Sequence, residues 1–157
     1  MTGDGTVRML ADRAAIQDVL TRLALAQDRR EWDALEACFL PDARYTHPGG
    51  ELRGAAEIVE RSRRALTPLD ASQHLLGTML VEVGDDGDRA SATTYFQAQH
   101  VRRGVVGGDL YVIAGTYMDQ LHRVDGRWRI AHRAQEYSWR DGNPDVIVRA
   151  SGPEGAR

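Results

Sequence analysis

Three ionisable side chains, Asp28, His74 and His100, stand in segments that are otherwise built mainly of apolar and small residues. Asp28 follows a helical apolar pattern, and each histidine lies in a stretch typical of a β-strand. Burying such a group without a partner is costly, so we expect the three to pair with one another or to face a cavity. A carboxylate beside an imidazole makes a general base near neutral pH. The trio therefore predicts a proton-transfer site.

Strand alternation indicates which residues share a face with the two histidines. Successive side chains of a strand point to opposite faces, so every second residue lies on the same side. His74 then shares its face with Leu76 and Leu80, and His100 shares its face with Phe96. Both faces are mainly apolar, with the histidine near one end. This pattern is typical of a hydrophobic pocket that carries a polar group at one end.

Other chemistry has less support from the residues. Cys38 is the only cysteine, which excludes an internal disulfide and paired-cysteine metal sites. A metal site assembled from Asp28, His74 and His100 stays open as an alternative. No glycine-rich phosphate loop leads from a strand into a helix, and no serine stands in a strand-turn-helix elbow. We therefore predict no cofactor and no metal.

The elements that must position these residues divide into helices followed by strands. Apolar spacing predicts helices over 10–28, 31–39 and 54–66, with a short extended piece at 43–47. Stretches rich in Val, Ile, Thr, Tyr and Trp predict strands over 72–83, 89–102, 109–123 and 127–139. Hairpin signals separate the strands, the clearest being Asp125-Gly126. We predict an α+β fold in which three helices cover one face of a strongly curved antiparallel sheet and leave a concave pocket.

Length and composition narrow the class of protein. A chain of 157 residues favours one domain, which we place at 9–142 between a disordered stretch at 1–8 and a tail at 143–157. A net charge of −3 argues against a nucleic-acid partner. No apolar run reaches the length of a membrane span, so we expect no membrane association and a cytoplasmic location.

Several motifs together resemble a known family. The chain is similar to the SnoaL-like branch of the nuclear-transport-factor-2-like superfamily over about residues 9–142. The motifs are RAAIQD at 13–18, WDAL at 32–35, FLPDA at 39–43, SQH at 72–74, GTY at 115–117 and DGRWRI at 125–130. The resemblance implies a cystatin-like α+β barrel with a conical pocket. This superfamily hosts many activities and also non-catalytic binders, so it specifies the fold better than the reaction.

Within that family the pattern is most similar to its dehydratases and dehydrochlorinase, which are cofactor-free lyases. That resemblance implies an Asp28–His74 dyad as the general base, with His100 as a second histidine and Tyr45 as a pocket tyrosine. It also implies a hydrophobic small-molecule substrate. For substrate binding it suggests Arg133. The apolar lining of the predicted pocket adds Leu76, Phe96 and Val112, and Tyr117 of the GTY motif completes the predicted set.

Two other functions remain open. A polyketide-type cyclase or an epoxide hydrolase could use the same scaffold with a different base, and a binding module could hold a ligand without turnover. The resemblance also implies a homo-oligomer, either a dimer or a trimer. We expect a binder to have no need for Asp28 and His74 together, so the dyad favours the lyase.

Overall fold

A computed structural model describes residues 3–147, and it consists of helices followed by strands, as predicted. The helices are α1 (Gly3–Arg29), α2 (Trp32–Glu36) and α3 (Ala55–Leu66). The strands are β1 (Phe39–His47), β2 (Gly50–Arg53), β3 (Ala71–Val83), β4 (Arg89–Val101), β5 (Leu110–Val124) and β6 (Arg127–Gly142). A short 3-10 turn follows at Pro144–Val146. The α+β class is thus confirmed, and the last four strands lie close to their predicted bounds.

The sheet is larger than predicted and is mixed. The described strands form one six-stranded sheet in the order β2-β1-β6-β5-β4-β3. All neighbours are antiparallel except β1 and β6, which are parallel. The predicted extended piece at 43–47 is the end of β1, and the unpredicted β2 pairs with it through Tyr45 and Leu52. We predicted a purely antiparallel sheet, and the parallel pairing of β1 with β6 shows that this prediction was wrong.

The hairpin turns have the residues that their backbone needs. Asp125 and Gly126 join β5 to β6 with φ values of 51° and 72°. Two successive positive φ angles match the twist of the flanking strands, and Asp-Gly adopts them readily. In the β3–β4 turn, Asp86 Oδ1 accepts hydrogen bonds from the backbone amides of Asp88 and Arg89 at 3.0 and 3.1 Å. These local contacts explain why the hairpins could be predicted from sequence.

The first helix begins earlier than predicted. α1 starts at Gly3, so residues 3–8 are helical, whereas we predicted disorder for 1–8. Asp12 anchors the helix to the strands: its carboxylate accepts two hydrogen bonds from Arg123, at 2.7 and 2.9 Å, and one from Trp128 at 3.2 Å. Once a helix is anchored, each further turn adds hydrogen bonds without a new nucleation cost. No described helix is long and apolar enough to cross a membrane.

The buried residues form two adjoining clusters between the helices and the sheet. One unites α1, α2, α3 and β1 with residues of β3, β4, β5 and β6, and it includes Ile16, Leu20 and Ile130, which are fully buried. The other surrounds Phe96 and Tyr117 and includes Val146 from the C-terminal turn. Residues 143–147 of the predicted tail therefore belong to the folded structure, and the rest of that tail lies outside the described residues.

Candidate active site

The end of α1 places Asp28 against the start of β3. Asp28 Oδ1 lies 2.7 Å from Nδ1 of His74, and Asp28 Oδ2 accepts a hydrogen bond from the backbone amide of His74 at 2.8 Å. The Ser72 hydroxyl donates to Asp28 Oδ1 at 3.0 Å. One carboxylate thus holds both the backbone and the ring of the same histidine.

The surroundings of Asp28 favour its ionised form. Burial alone would raise its pKa, but hydrogen bonds from the His74 ring and backbone and from Ser72 outweigh burial and lower the pKa. An ionised Asp28 can only accept, so His74 Nδ1 carries a hydrogen and donates it. The neutral imidazole then has its lone pair on Nε2, for which the described part of the chain supplies no hydrogen-bond partner. This arrangement can abstract a proton at Nε2.

His100 lies beside the dyad, and its surroundings keep its ring uncharged at neutral pH. Its ring stands edge-on to that of His74, with 5.8 Å between the ring centroids. Its Nδ1 lies 3.2 Å from the carbonyl oxygen of Tyr111, which can only accept, so Nδ1 carries the hydrogen. Burial and the neighbouring His74 lower the pKa of His100 to about 4. At neutral pH His100 is therefore uncharged, with Nε2 as an acceptor.

A continuous inner surface leads from the dyad towards β6. Leu76 follows His74 on the inner face and pairs with Phe96 of β4. The Phe96 ring stacks on Tyr117 with centroids 4.1 Å apart, and the guanidinium of Arg133 lies 4.0 Å from the Tyr117 ring. The inner placement predicted for Leu76, Phe96, Tyr117 and Arg133 agrees with these contacts.

Arg133 is buried and held by a partner that sequence reasoning missed. Its Nε and Nη2 donate to the two carboxylate oxygens of Asp119 at 2.7 and 2.8 Å. Arg133 is 3% exposed and Asp119 is 2% exposed. Burial alone would lower the pKa of Arg133, but Asp119 outweighs it and raises the pKa. Arg133 Nη1 has no hydrogen bond to the described residues and is the atom left for a ligand.

Tyr45 lies in this second polar group, away from Asp28. Its hydroxyl donates a short hydrogen bond to Gln135 Oε1, and its strand position is opposite Arg133. Burial raises the pKa of Tyr45 to about 12, so the phenol stays protonated. No hydrogen bond or ring contact within residues 3–147 joins Tyr45 to the Asp28–His74 pair. The structure therefore brings together Asp28, His74 and His100, with Tyr45 and Arg133 in a separate cluster.

Two residues predicted for the pocket lie outside it. Val112 pairs with Gln99 on the outer face of the sheet, because the inward positions of β5 are those of Tyr111 and Ile113. Leu80 is 57% exposed, because a register shift between Leu76 and Met79 reverses the alternation of β3. Neither side chain can contact a ligand held by His74.

With this geometry established, comparison with known proteins identifies the family. The family model described as "SnoaL-like domain" matches residues 8–134. The chain therefore belongs to the SnoaL-like domain family, as the motifs predicted.

Individual relatives are more distant. A gamma-hexachlorocyclohexane dehydrochlorinase of Sphingobium indicum is 27% identical over 125 residues, which are 79% of each chain. A candidate scytalone dehydratase from Novosphingobium aromaticivorans superimposes with a TM-score of 0.81 at 19% identity, over 97% of this chain and 99% of the other. A Nostoc punctiforme protein described as having a cystatin-like fold superimposes at 0.67 with 17% identity, over 80% and 90% of the two chains. These structures confirm the predicted cystatin-like fold.

Proposed function

We propose that this protein is a cofactor-independent lyase or isomerase, most simply a dehydratase, acting on a hydrophobic small molecule. The single observation that carries the proposal is the contact of 2.7 Å between Asp28 Oδ1 and His74 Nδ1, which leaves Nε2 as a free base. The dehydrochlorinase relative has an elimination reaction in its name, and an elimination requires such a base. Because that relative is only 27% identical, the reaction type is carried over as a proposal.

The first step would be removal of a proton from a carbon next to a carbonyl or an activated ring. His74 Nε2 takes the proton, and the imidazolium that forms is stabilised by the Asp28 carboxylate. The electron pair left on carbon moves to form the new double bond as the leaving group departs on the neighbouring carbon. A general base of this kind typically contributes about 10²–10⁴-fold to the rate.

The remaining polar groups would act on the developing charge. His100 enters as a hydrogen-bond acceptor, because its Nδ1–H is committed to Tyr111 and its pKa is about 4. It can bind a substrate hydroxyl, but at neutral pH it cannot protonate a departing one. Arg133 Nη1 is the donor suited to an oxyanion or to the leaving group, because the Tyr45 hydroxyl already donates its hydrogen to Gln135.

The proposed substrate class follows from the inner wall. Leu76, Phe96 and Tyr117 belong to one apolar cluster on the inner side of the sheet, and Arg133 packs on its Tyr117 ring. Such a surface favours a molecule with a hydrophobic ring and a single polar end. A β-hydroxy carbonyl compound on an aromatic or alicyclic ring has both the acidic C–H and the leaving hydroxyl that this reaction needs.

The test is a proton-abstraction assay with matched variants. In deuterium oxide, wild type should incorporate deuterium next to the carbonyl of cyclic β-hydroxy ketones and release water from them. His74→Ala and Asp28→Asn should each reduce the rate by about 10²–10⁴-fold, since they remove the base or its orienting carboxylate. His122→Ala is the control. This histidine lies near the end of β5, outside the Asp28–His74 pair, so its substitution should leave the rate unchanged.

Two results would count against the proposal. Full activity in His74→Ala would exclude this histidine as the base. Tight binding of the same ketones without exchange, equally in wild type and Asp28→Asn, would instead identify a binding module.

We also propose a homo-oligomer, formed through the outer face of the sheet. A cleft of about 580 Å³ lies there and includes Leu75, Tyr95 and Trp139. These side chains are 55%, 58% and 48% exposed, which is unusual for large apolar residues on a monomer surface.

A further inference from the structure

Arg30 ends α1 in a conformation that arginine seldom adopts. Its φ is 60°, in the left-handed region that is unfavourable for an ordinary residue and that glycine occupies freely. The backbone alone would therefore favour glycine at this position. The arginine side chain must offset that cost through its contacts.

Those contacts lead to Asp28 of the Asp28–His74 dyad. Arg30 Nη1 donates to the Ser72 hydroxyl oxygen at 2.8 Å and to the carbonyl oxygen of Asp28 at 2.6 Å. It also lies 3.4 Å from the carbonyl oxygen of Gln27. These carbonyls belong to the last turn of α1, where the helix dipole is negative and disfavours a carboxylate such as that of Asp28. The guanidinium places positive charge at this end of the helix.

The direction of each hydrogen bond in this chain is fixed. Arginine can only donate, so Ser72 Oγ accepts from Arg30 and must direct its own hydrogen elsewhere. The available acceptor is Asp28 Oδ1, 3.0 Å away. That oxygen is also the one that contacts His74 Nδ1. A single ordered path therefore runs from the guanidinium through the hydroxyl to the oxygen that orients the base.

We propose that Arg30 and Ser72 are positioning residues that hold the Asp28 carboxylate in the rotamer that orients His74. This inference rests on the proposed function of the dyad. Neither residue reaches the substrate. Without Ser72, Oδ1 loses one of its two side-chain donors, and the carboxylate is then held by His74 alone. Without the Arg30 side chain, Ser72 can turn its hydrogen towards other acceptors. The negative end of the α1 dipole next to Asp28 is then no longer compensated by a positive charge.

The experiment compares Ser72→Ala, Ser72→Thr and Arg30→Gly in the deuterium-exchange assay across pH. Ser72→Ala and Arg30→Gly should lower kcat by about 10–100-fold, the usual range for partners that orient a reacting group, with little change in KM. Ser72→Ala should also change the acid limb of the kcat profile, because the Ser72 hydrogen bond helps to lower the pKa of Asp28, the carboxylate that holds the base. Ser72→Thr keeps the hydroxyl and should retain wild-type kcat. Arg29→Gly, at an exposed neighbouring arginine, is the control for loss of charge and helix propensity.

A readout without turnover separates this inference from the proposed function. The His74 Nδ1–H proton should give a low-field NMR signal in wild type, which should broaden or vanish in Ser72→Ala and persist in Ser72→Thr. If exchange requires His74 but kcat, the acid limb and this signal are all unchanged in Ser72→Ala and Arg30→Gly, the positioning inference is wrong and the dyad stands. If exchange does not require His74 while the signal still depends on Ser72, the proposed function is wrong and the ordered path stands. Arg30→Gly relieves the backbone strain, so its melting temperature should stay close to that of wild type.

Discussion

Thr94 has a buried hydroxyl that lacks a partner. The residue is 1% exposed on the inner face of β4, and its Oγ1 has no hydrogen bond within the described part of the chain. A buried polar group left unsatisfied loses its hydration without compensation. Thr94→Val replaces the hydroxyl with a methyl group of similar size, so we expect stability to rise by about 1 kcal/mol.

Urea denaturation of Thr94→Val against Thr93→Val measures this effect. Thr93 is exposed on the outer face of the same strand, so its substitution should change stability by less than about 0.5 kcal/mol. A loss of stability in Thr94→Val would mean that the hydroxyl does have a partner, such as a bound water molecule.

At the scale of single residues, sequence reasoning found the charged groups but not their supports. Asp28, His74 and His100 stand out because an ionisable group in an apolar segment is costly to bury without a partner. Ser72 and Arg30 carry no such signal, since a serine before a strand and an arginine after a helix are ordinary. Asp119 was missed for a similar reason, because its buried pairing with Arg133 depends on the register between β5 and β6.

Two irregular strands decide which side chains face the dyad. β3 shifts register between Leu76 and Met79, and β5 shifts against β6 between Ala114 and Gly115. At the second shift, a Cβ on Gly115 would lie only 1.9 Å from the carbonyl oxygen of Glu136. The glycine is therefore required by this close approach of the two strands, and it leaves room for the Phe96 ring nearby.

Gly115→Ala should destabilise the sheet, because the backbone of β6 must move to admit the methyl group. We expect a loss of about 1–3 kcal/mol, measured by thermal or urea denaturation. Gly77→Ala is the matched control within a strand irregularity: its Cβ would meet the carbonyl oxygen of Tyr95 at an ordinary 3.8 Å. Equal losses in the two variants would show that strand glycine alone, rather than the close approach, sets the cost.

The hairpins could be predicted because their signals are local, whereas the bulges could not. Asp125-Gly126 specifies a turn through its own φ angles. Strict alternation placed Leu80 inside, and nothing in the residues around Gly77 revealed the extra position that turns it outwards. The inner placement of Leu76 and Phe96 was predicted correctly because both lie before the shift, on the same side as the histidines.

The stability of the whole molecule should depend on pH through His100. Burial and His74 lower its folded-state pKa to about 4, from 6.5 for an ordinary histidine, with Asp28 and Arg30 also nearby. Between these values the unfolded chain binds the proton and the folded chain does not, so stability falls as the pH is lowered from 6.5 towards 4. Between pH 7.5 and pH 5 this single group should remove about 2 kcal/mol.

Urea unfolding at the two pH values tests this dependence. His100→Gln should flatten the decline, although a part should remain because the pKa of His47 is also lowered to about 4 by burial and by Arg61. His122→Gln should decline as wild type does. An unchanged pH dependence in His100→Gln would show that this histidine is not held neutral in the folded state.

The arrangement of the complete sheet was the least predictable feature. β1 lies beside β6 in parallel, and its partners are about ninety residues away along the chain, as in the pair Tyr45 and Arg133. Periodicity describes a strand but does not specify its distant neighbour. The helix-then-strand order was enough to predict the α+β class.

The backbone amide of His74 lies at an exposed edge of the sheet. β3 stands at one edge of the sheet, so half of its backbone groups have no neighbouring strand. Exposed strand edges invite pairing with other chains and so promote aggregation. Asp28 Oδ2 occupies the outward amide of His74, and α1 brings it there. The carboxylate that contacts the His74 ring thus also covers one amide of this edge, which disfavours pairing with another strand at that point.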